Sequence, residues 1–198
     1  MRFHLVPAIV LLWFLFYSPA RGQGSFQPGY LVLLRGDTLR GLVATPTRNT
    51  VMRGVEFKKS VGEANKKIYP NKLVRAVQLT GGKTYLMRKM QPMMLHDTLR
   101  ILLEPLVQGR ATLFRSSRNV FSNDSDAEMF GNSFSSVYYY VERVNTTTRP
   151  PFLLNPTHFR ENLDALFADC PTAPTITGKF EEPNLVHLVR QYNSCPAR

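Results

Sequence analysis

Apolar positions in the first three quarters of the chain come in short runs or alternate, whereas those of the last fifty residues follow a helical period. Tyr30-Leu31-Val32-Leu33-Leu34, opened by Pro28-Gly29, predicts a strand buried on both faces. Arg35-Gly36-Asp37-Thr38 reads as a turn, and Leu39-Arg40-Gly41-Leu42-Val43-Ala44 as the returning strand of a hairpin. A polar loop over 45–50 follows. Val51 to Lys58 then alternate, with Val55 and Phe57 on one face and Glu56 and Lys58 on the other. Residues 59–67 are polar and basic, end in Lys66-Lys67, and read as a loop. Ile68-Tyr69-Pro70 leads into a strand over Leu73–Leu79. Gly81-Gly82 turns the chain, and Thr84–Met90 completes a second hairpin. Asp97–Glu104 fits a short helix or a strand: Leu99, Leu102, Leu103 and Leu106 have helical spacing, but Pro105 would break a helix. Beyond Gly109, Arg110–Arg115 alternates. Residues 116–136, rich in Ser, Asn and Asp, predict a long exposed loop. Val137–Val144 is the strongest strand by residue type.

The composition shifts at Thr146-Thr147-Thr148-Arg149-Pro150-Pro151. Asn155 is suited to cap a helix and Pro156 to begin one. Phe159, Leu163, Leu166, Phe167 and Cys170 then share a face, and Pro171 ends the segment. Pro183 opens a second helix with Leu185, Leu188, Val189 and Tyr192 on one face and Cys195 just beyond. The expected fold is α+β: a mostly antiparallel β-rich body of seven or eight strands over 25–149, with two helices over 150–198 packed on it as one domain. Cys170 and Cys195 are the only cysteines. An even count in an exported chain predicts one disulfide, joining the C-terminal ends of the two helices.

Export is inferred from the first 24 residues. Arg2 precedes an apolar run from Val6 to Tyr17, followed by the small residues Ser18-Pro19-Ala20 and Gly22-Gln23-Gly24. This is the make-up of a secretory signal peptide, and the run is shorter than the ~20 residues that span a bilayer. Cleavage near Gly24 leaves a chain with no further transmembrane candidate; retention of the leader would anchor it. The expected location is periplasmic, cell-surface or secreted. The formal charge is +11, from 25 Lys and Arg against 14 Asp and Glu among 198 residues. The excess belongs to residues 25–149, which hold 19 basic and 9 acidic groups, while 150–198 hold 4 and 5. A basic body attracts anionic glycan or lipid of the envelope. Export makes nucleic acid the least suitable partner. A scattered, solvated basic surface accounts for the same bias.

No motif carries catalytic chemistry. The nearest approach to a serine-hydrolase elbow, Phe130-Gly131-Asn132-Ser133-Phe134, lacks the second glycine. Asp124, Asp126 and Glu128 resemble the start of a calcium loop, but Met129 stands where glycine is needed and Ser135 where glutamate is needed. His96, His158 and His187 are isolated and show no zinc-ligand spacing with the cysteines. No metal or cofactor is expected. Arg35-Gly36-Asp37 matches an integrin-binding tripeptide, though the hairpin turn accounts for its glycine and aspartate. Asn123-Asp124-Ser125 and Asn145-Thr146-Thr147 match glycosylation acceptors, meaningful only on a eukaryotic secretory route. Candidate binding residues are Tyr138 and Tyr140, which share a strand face with Glu142, and the cations Lys58, Lys66, Lys67 and Arg88. The tyrosines better suit a core strand with hydroxyls at its rim, since aromatic residues favour strands generally.

The order of these features resembles a group of uncharacterised exported proteins from Bacteroidota. The resemblance rests on the leader, Gly36-Asp37-Thr38 with Leu39-Arg40-Gly41, Tyr69-Pro70, Leu102-Leu103 with Gly109 and Leu113-Phe114, and the endings Asp169-Cys170-Pro171 and Gln191-Tyr192-Asn193-Ser194-Cys195. It implies a bacterial periplasmic or cell-surface location and no activity or catalytic residue. The leading functional expectation is a non-enzymatic envelope protein that binds a ligand or partner protein through its basic β-rich part. The alternatives are an exported hydrolase acting on polysaccharide or cell-wall material, with carboxylates brought together from distant positions, and a structural component of an envelope complex.

Overall fold

The computed structural model describes residues 26–46, 54–90, 99–116, 137–143, 151–154, 156–158, 161, 167–170 and 179–196. Among them ten strands form a single antiparallel sheet: β1 (Phe26–Leu33), β2 (Thr38–Ala44), β3 (Val55–Lys58), β4 (Lys67–Tyr69), β5 (Val74–Leu79), β6 (Thr84–Met90), β7 (Leu99–Val107), β8 (Ala111–Ser116), β9 (Tyr138–Arg143) and β10 (Phe152–Leu153). The order across the sheet is β10-β9-β8-β7-β6-β5-β1-β2-β3-β4. Every neighbour follows its predecessor in sequence except at one place, where β5 returns to pair with β1.

That return shapes the first half. β4 and β5 lie four strand positions apart, about 19 Å in a flat sheet, and run in the same direction. Only Pro70 and the 3-10 turn Asn71–Leu73 join them. A 3-10 turn advances about 2 Å per residue, so the link cannot span a flat sheet and the five strands must roll. The Asn71 side-chain amide donates to the Arg100 carbonyl at 3.0 Å and fixes the turn against the start of β7. Leu31, Val43, Val55, Val74 and Val77 fill the inside of the roll and retain no exposure. Val74 joins Val77 there because Val32 opposes Ala76 while Leu33 opposes Val74; Arg75 is the extra residue of a bulge and turns out to solvent. Gly41 is required where β2 crosses β3: a Cβ there would lie 2.3 Å from the Lys58 carbonyl oxygen and 2.6 Å from the Phe57 ring.

In the second half the same sheet face carries α1 (Glu182–Ser194), which packs on β7 and β8. Leu185, Leu188, Val189 and Tyr192 are its buried residues. They meet Val107, Ala111, Leu113, Tyr139, Val141, Leu154, Phe167, Cys170 and Cys195. Burying each aliphatic side chain contributes roughly 1.5–3 kcal/mol before conformational entropy is counted. The opposite face holds a separate cluster of Met90, Ile101, Leu103, Phe114 and Tyr140. β8 and β9 are therefore buried on both faces, with Ala111 through Phe114 and Tyr139 through Val141 all inside.

Several expectations are met and others need correction. The two hairpins, the strand over Tyr138–Arg143, the C-terminal helix and the Cys170–Cys195 bridge are present; the bridge has Cα atoms 5.8 Å apart. β1 is not buried on both faces: Leu31 and Leu33 are buried, Tyr30 and Val32 half-buried, and Leu34 is past the strand end and 50% exposed. The ambiguous segment is a strand, and Pro105 sits within it where the register shifts, so no ladder bond is demanded of it. Lys67, assigned to a loop, begins β4. Two helices were expected, and α1 is the one α-helix described from end to end. The central residues of the expected first helix lie outside the described residues, and its ends are a 3-10 turn at Pro156–His158 and a turn at 167–169.

Three stability outcomes follow from this packing. Gly41→Ala lowers the urea unfolding free energy by about 1–3 kcal/mol, because backbone must move. Gly62→Ala, whose Cβ meets nothing within 4 Å, changes it by less than about 0.5 kcal/mol. Removing the bridge with Cys170→Ser and Cys195→Ser costs about 3–4 kcal/mol in the same measurement, as expected for the loop it closes.

Candidate functional site

Residues directly opposite in an antiparallel pair share a sheet face, so the register places every side chain. Tyr138, Tyr140, Arg88 and Lys58 fall on one face, the outer face of the roll, and Lys66 reaches Glu56 on that face. Lys67 lies on the other face, with its ammonium 4.8 Å from the centre of the Tyr69 ring. The sequence candidates nevertheless do not form one site. β9 and β3 are seven strand positions apart, about 34 Å along the sheet. Tyr140 retains no exposure and belongs to the core, so its ring is not offered to a ligand. Arg88 is bound to Glu142 at 2.7 Å and lies 5.2 Å from the centre of the Phe114 ring.

What remains accessible is the outer face of β1–β4. The register arranges it in four rows across the strands, the first of them Val32 opposite Thr38. In the second, Tyr30 stands opposite Arg40. Pro28, Leu42 and Lys58 form the third row, which continues to Lys66 if the β3–β4 register is extended by one residue. Phe26 and Ala44 lie in the fourth, together with Glu56 and Ile68. Arg40 sits over the Tyr30 ring, 5.8 Å from its centroid, and the Lys58 ammonium is 5.0 Å from that of Phe26. An aromatic face holds a cation in place by its quadrupole while leaving the charge open to solvent. Lys66 is instead paired with Glu56 at 2.7 Å. Among the described residues neither Arg40 nor Lys58 meets a carboxylate. Phe26, Tyr30 and Arg40 were missed in the sequence; the signal that finds them is the register set by the Gly36-Asp37 turn.

The other polar clusters are structural. At the start of α1, Arg115 donates to Glu182 at 3.0 and 3.2 Å and to Glu104 at 2.9 Å, and the Tyr139 hydroxyl donates to Glu182 at 3.1 Å. A carboxylate there also favours the positive end of the helix dipole. At the other end, the Tyr192 hydroxyl donates to Asp169 at 3.0 Å, Arg110 reaches the same carboxylate at 3.2 Å, and Arg143 binds it as well. Asn193 accepts from the Ala111 N–H at 2.7 Å and donates to the Ala111 carbonyl at 2.9 Å, imitating a neighbouring strand. A Cβ on Gly109 would lie 2.5 Å from that amide, which accounts for the glycine.

These clusters leave the carboxylates bound to arginines, an arrangement that holds a helix rather than moves a proton. No group of three His, Cys, Asp or Glu among the described residues could hold a metal ion. The calcium-like Asp124, Asp126 and Glu128, the Ser133 segment and His96 lie outside the described residues. Arg35 and Asp37 are ion-paired to each other within their turn, with Gly36 at φ +103°. Among the described residues no helix is long and apolar enough to cross a membrane. No family model matches the chain, and no curated protein or solved structure matches it either.

The clasps carry a pH signature. Burial, followed by the adjacent carboxylates, raises the pKa of Tyr139 and Tyr192 above the ordinary 10.0, and burial with Glu104 does so for Tyr85. The neutral phenols are thus favoured in the folded chain. Their contribution is complete below pH 10 and is lost as pH rises through the folded values. The urea midpoint should fall above pH 10, and less steeply in Tyr192→Phe, whose midpoint starts lower because the bond to Asp169 is gone.

Proposed function

We propose that this chain is an exported, non-enzymatic protein of the cell envelope that binds an anionic ligand or partner through the outer face of β1–β4. The observation that carries this reading is the pair of ring-supported cations, Arg40 on Tyr30 and Lys58 on Phe26, on a half-exposed apolar face. A preorganised cation loses less freedom on meeting an anion than a solvated lysine does. The leader-like first 24 residues and the Cys170–Cys195 bridge support a periplasmic, cell-surface or secreted location, since such bridges persist in oxidising compartments. The resemblance to exported Bacteroidota proteins supports the same location.

Cell fractionation and intact-mass analysis test the reading together. The natively expressed protein should come from the envelope or the medium, begin near Gly24 or Ser25, carry no free thiol, and be released from envelope fragments by salt because electrostatic attraction is screened. Recovery from the cytosol with the leader attached and both thiols reduced would overturn it.

A further inference from the structure

Charge identifies the ligand of the β1–β4 face only as an anion; the layout of the face identifies its shape. Arg40 and Lys58 are diagonal neighbours on adjacent strands, a separation of about 7–8 Å between side-chain origins. Lys66 extends the line towards β4, making a track roughly 12 Å long that crosses the strands. It is flanked by Tyr30 at one end and by Phe26 and Ile68 along one side. Phe26, Tyr30 and Leu42 are half-buried and lie within the surface rather than protruding from it. A bilayer ligand wants several protruding apolar side chains; on this face Ile68 at the β4 edge is the exposed one, while Leu34 and Leu73 lie past the end of β1 and before β5, off it. A face with cations in line and apolar surface alongside fits an extended polymer whose units each present an apolar ring face and an anionic group.

We infer that this face is a docking track for a linear acidic polysaccharide, in which Arg40 and Lys58, held on the Tyr30 and Phe26 rings, bind successive carboxylates and the apolar surface of Pro28, Leu42 and Ile68 lies against the sugar rings. The inference rests on the binding function proposed above and narrows its ligand. Lys66 is a reserve cation: it is held by Glu56 at 2.7 Å, so Glu56 opposes the ligand and competes for Lys66.

The test uses the mature, oxidised chain and polygalacturonate as the probe, with neutral dextran and phosphatidylglycerol vesicles in parallel, by calorimetry at low salt. The expected result is binding to polygalacturonate and not to dextran. Arg40→Gln with Lys58→Gln should weaken it about tenfold or more, the scale of a lost charged hydrogen bond. Lys72→Gln with Lys83→Gln removes the same charge from exposed positions elsewhere and should leave most of the affinity. Glu56→Gln releases Lys66 and should strengthen binding by about two- to threefold, the scale of a surface ion pair. That gain cannot be mimicked by misfolding. Equal losses in the two double variants, an unchanged affinity in the first, or weaker binding by Glu56→Gln would each overturn the inference. Binding to vesicles but not to the polymer would overturn it while leaving the anion-binding function standing. Binding to neither would remove both.

Discussion

Four residues, Pro70 and Asn71–Leu73, link β4 to β5 and set the geometry of the molecule. The link is shorter than the width of the sheet it must cross, so the first five strands have to roll. Rolling buries Leu31, Val43, Val55 and Val77 with no helix over them among the described residues, and it requires the bulge at Arg75 that brings Val74 inward. It also gives the sheet a convex side. The outer face of β1–β4 is half-exposed because the roll has already satisfied the inner one. An open sheet of the same sequence would have needed a second layer, and the Tyr30, Arg40, Phe26 and Lys58 surface would have had no reason to remain accessible.

The second half solves the same burial problem differently. β6 to β10 extend the sheet as a meander, and α1 covers the continuing face. The helix is amphipathic but short, and helices of this length have little stability alone. It is held at both ends by carboxylates that meet arginines from the sheet, Glu182 with Arg115 and Asp169 with Arg110 and Arg143, and by the Asn193 amide docked on Ala111. The disulfide acts on the same region by closing the chain between the turn at 167–169 and the end of α1. The basic excess of the β-rich body is therefore partly a structural device. Arg88, Arg110, Arg115 and Arg143 are spent on fixing elements to one another, and the charge left for a ligand is smaller than the composition suggests.

Local elements were legible in the sequence because their signals are local. Alternation in Val55–Lys58, the β-forming residue types of Tyr138–Arg143, the glycine turns, and the apolar face of Leu185, Leu188, Val189 and Tyr192 each follow from neighbours within a turn or a strand. What was not legible depends on long-range pairing. Whether Tyr140 is core or surface is decided by Leu103 and Phe114, which lie on other strands; residue type leans to the core but cannot name these neighbours. Pro105 looked like a helix breaker, but its meaning came from a register shift against β8. The candidate cations were chosen by charge, and only the ladder shows that Lys58 and Lys66 share a face with Phe26 and Tyr30 while Arg88 is committed to Glu142. The three-residue β4 was hidden within a polar stretch because a strand so short carries no periodicity.

The position of β1 bears on how the chain tolerates trimming. It is hydrogen-bonded on both sides, to β2 and to β5, and so lies in the interior of the sheet. An exoprotease working inward from the amino terminus would meet this seam within its first few cuts past Phe26. Beyond that point it would divide the molecule between two sets of strands that nothing else in the sheet joins. Ragged ends, fusion scars and affinity tags that cut past Phe26 are therefore corrosive.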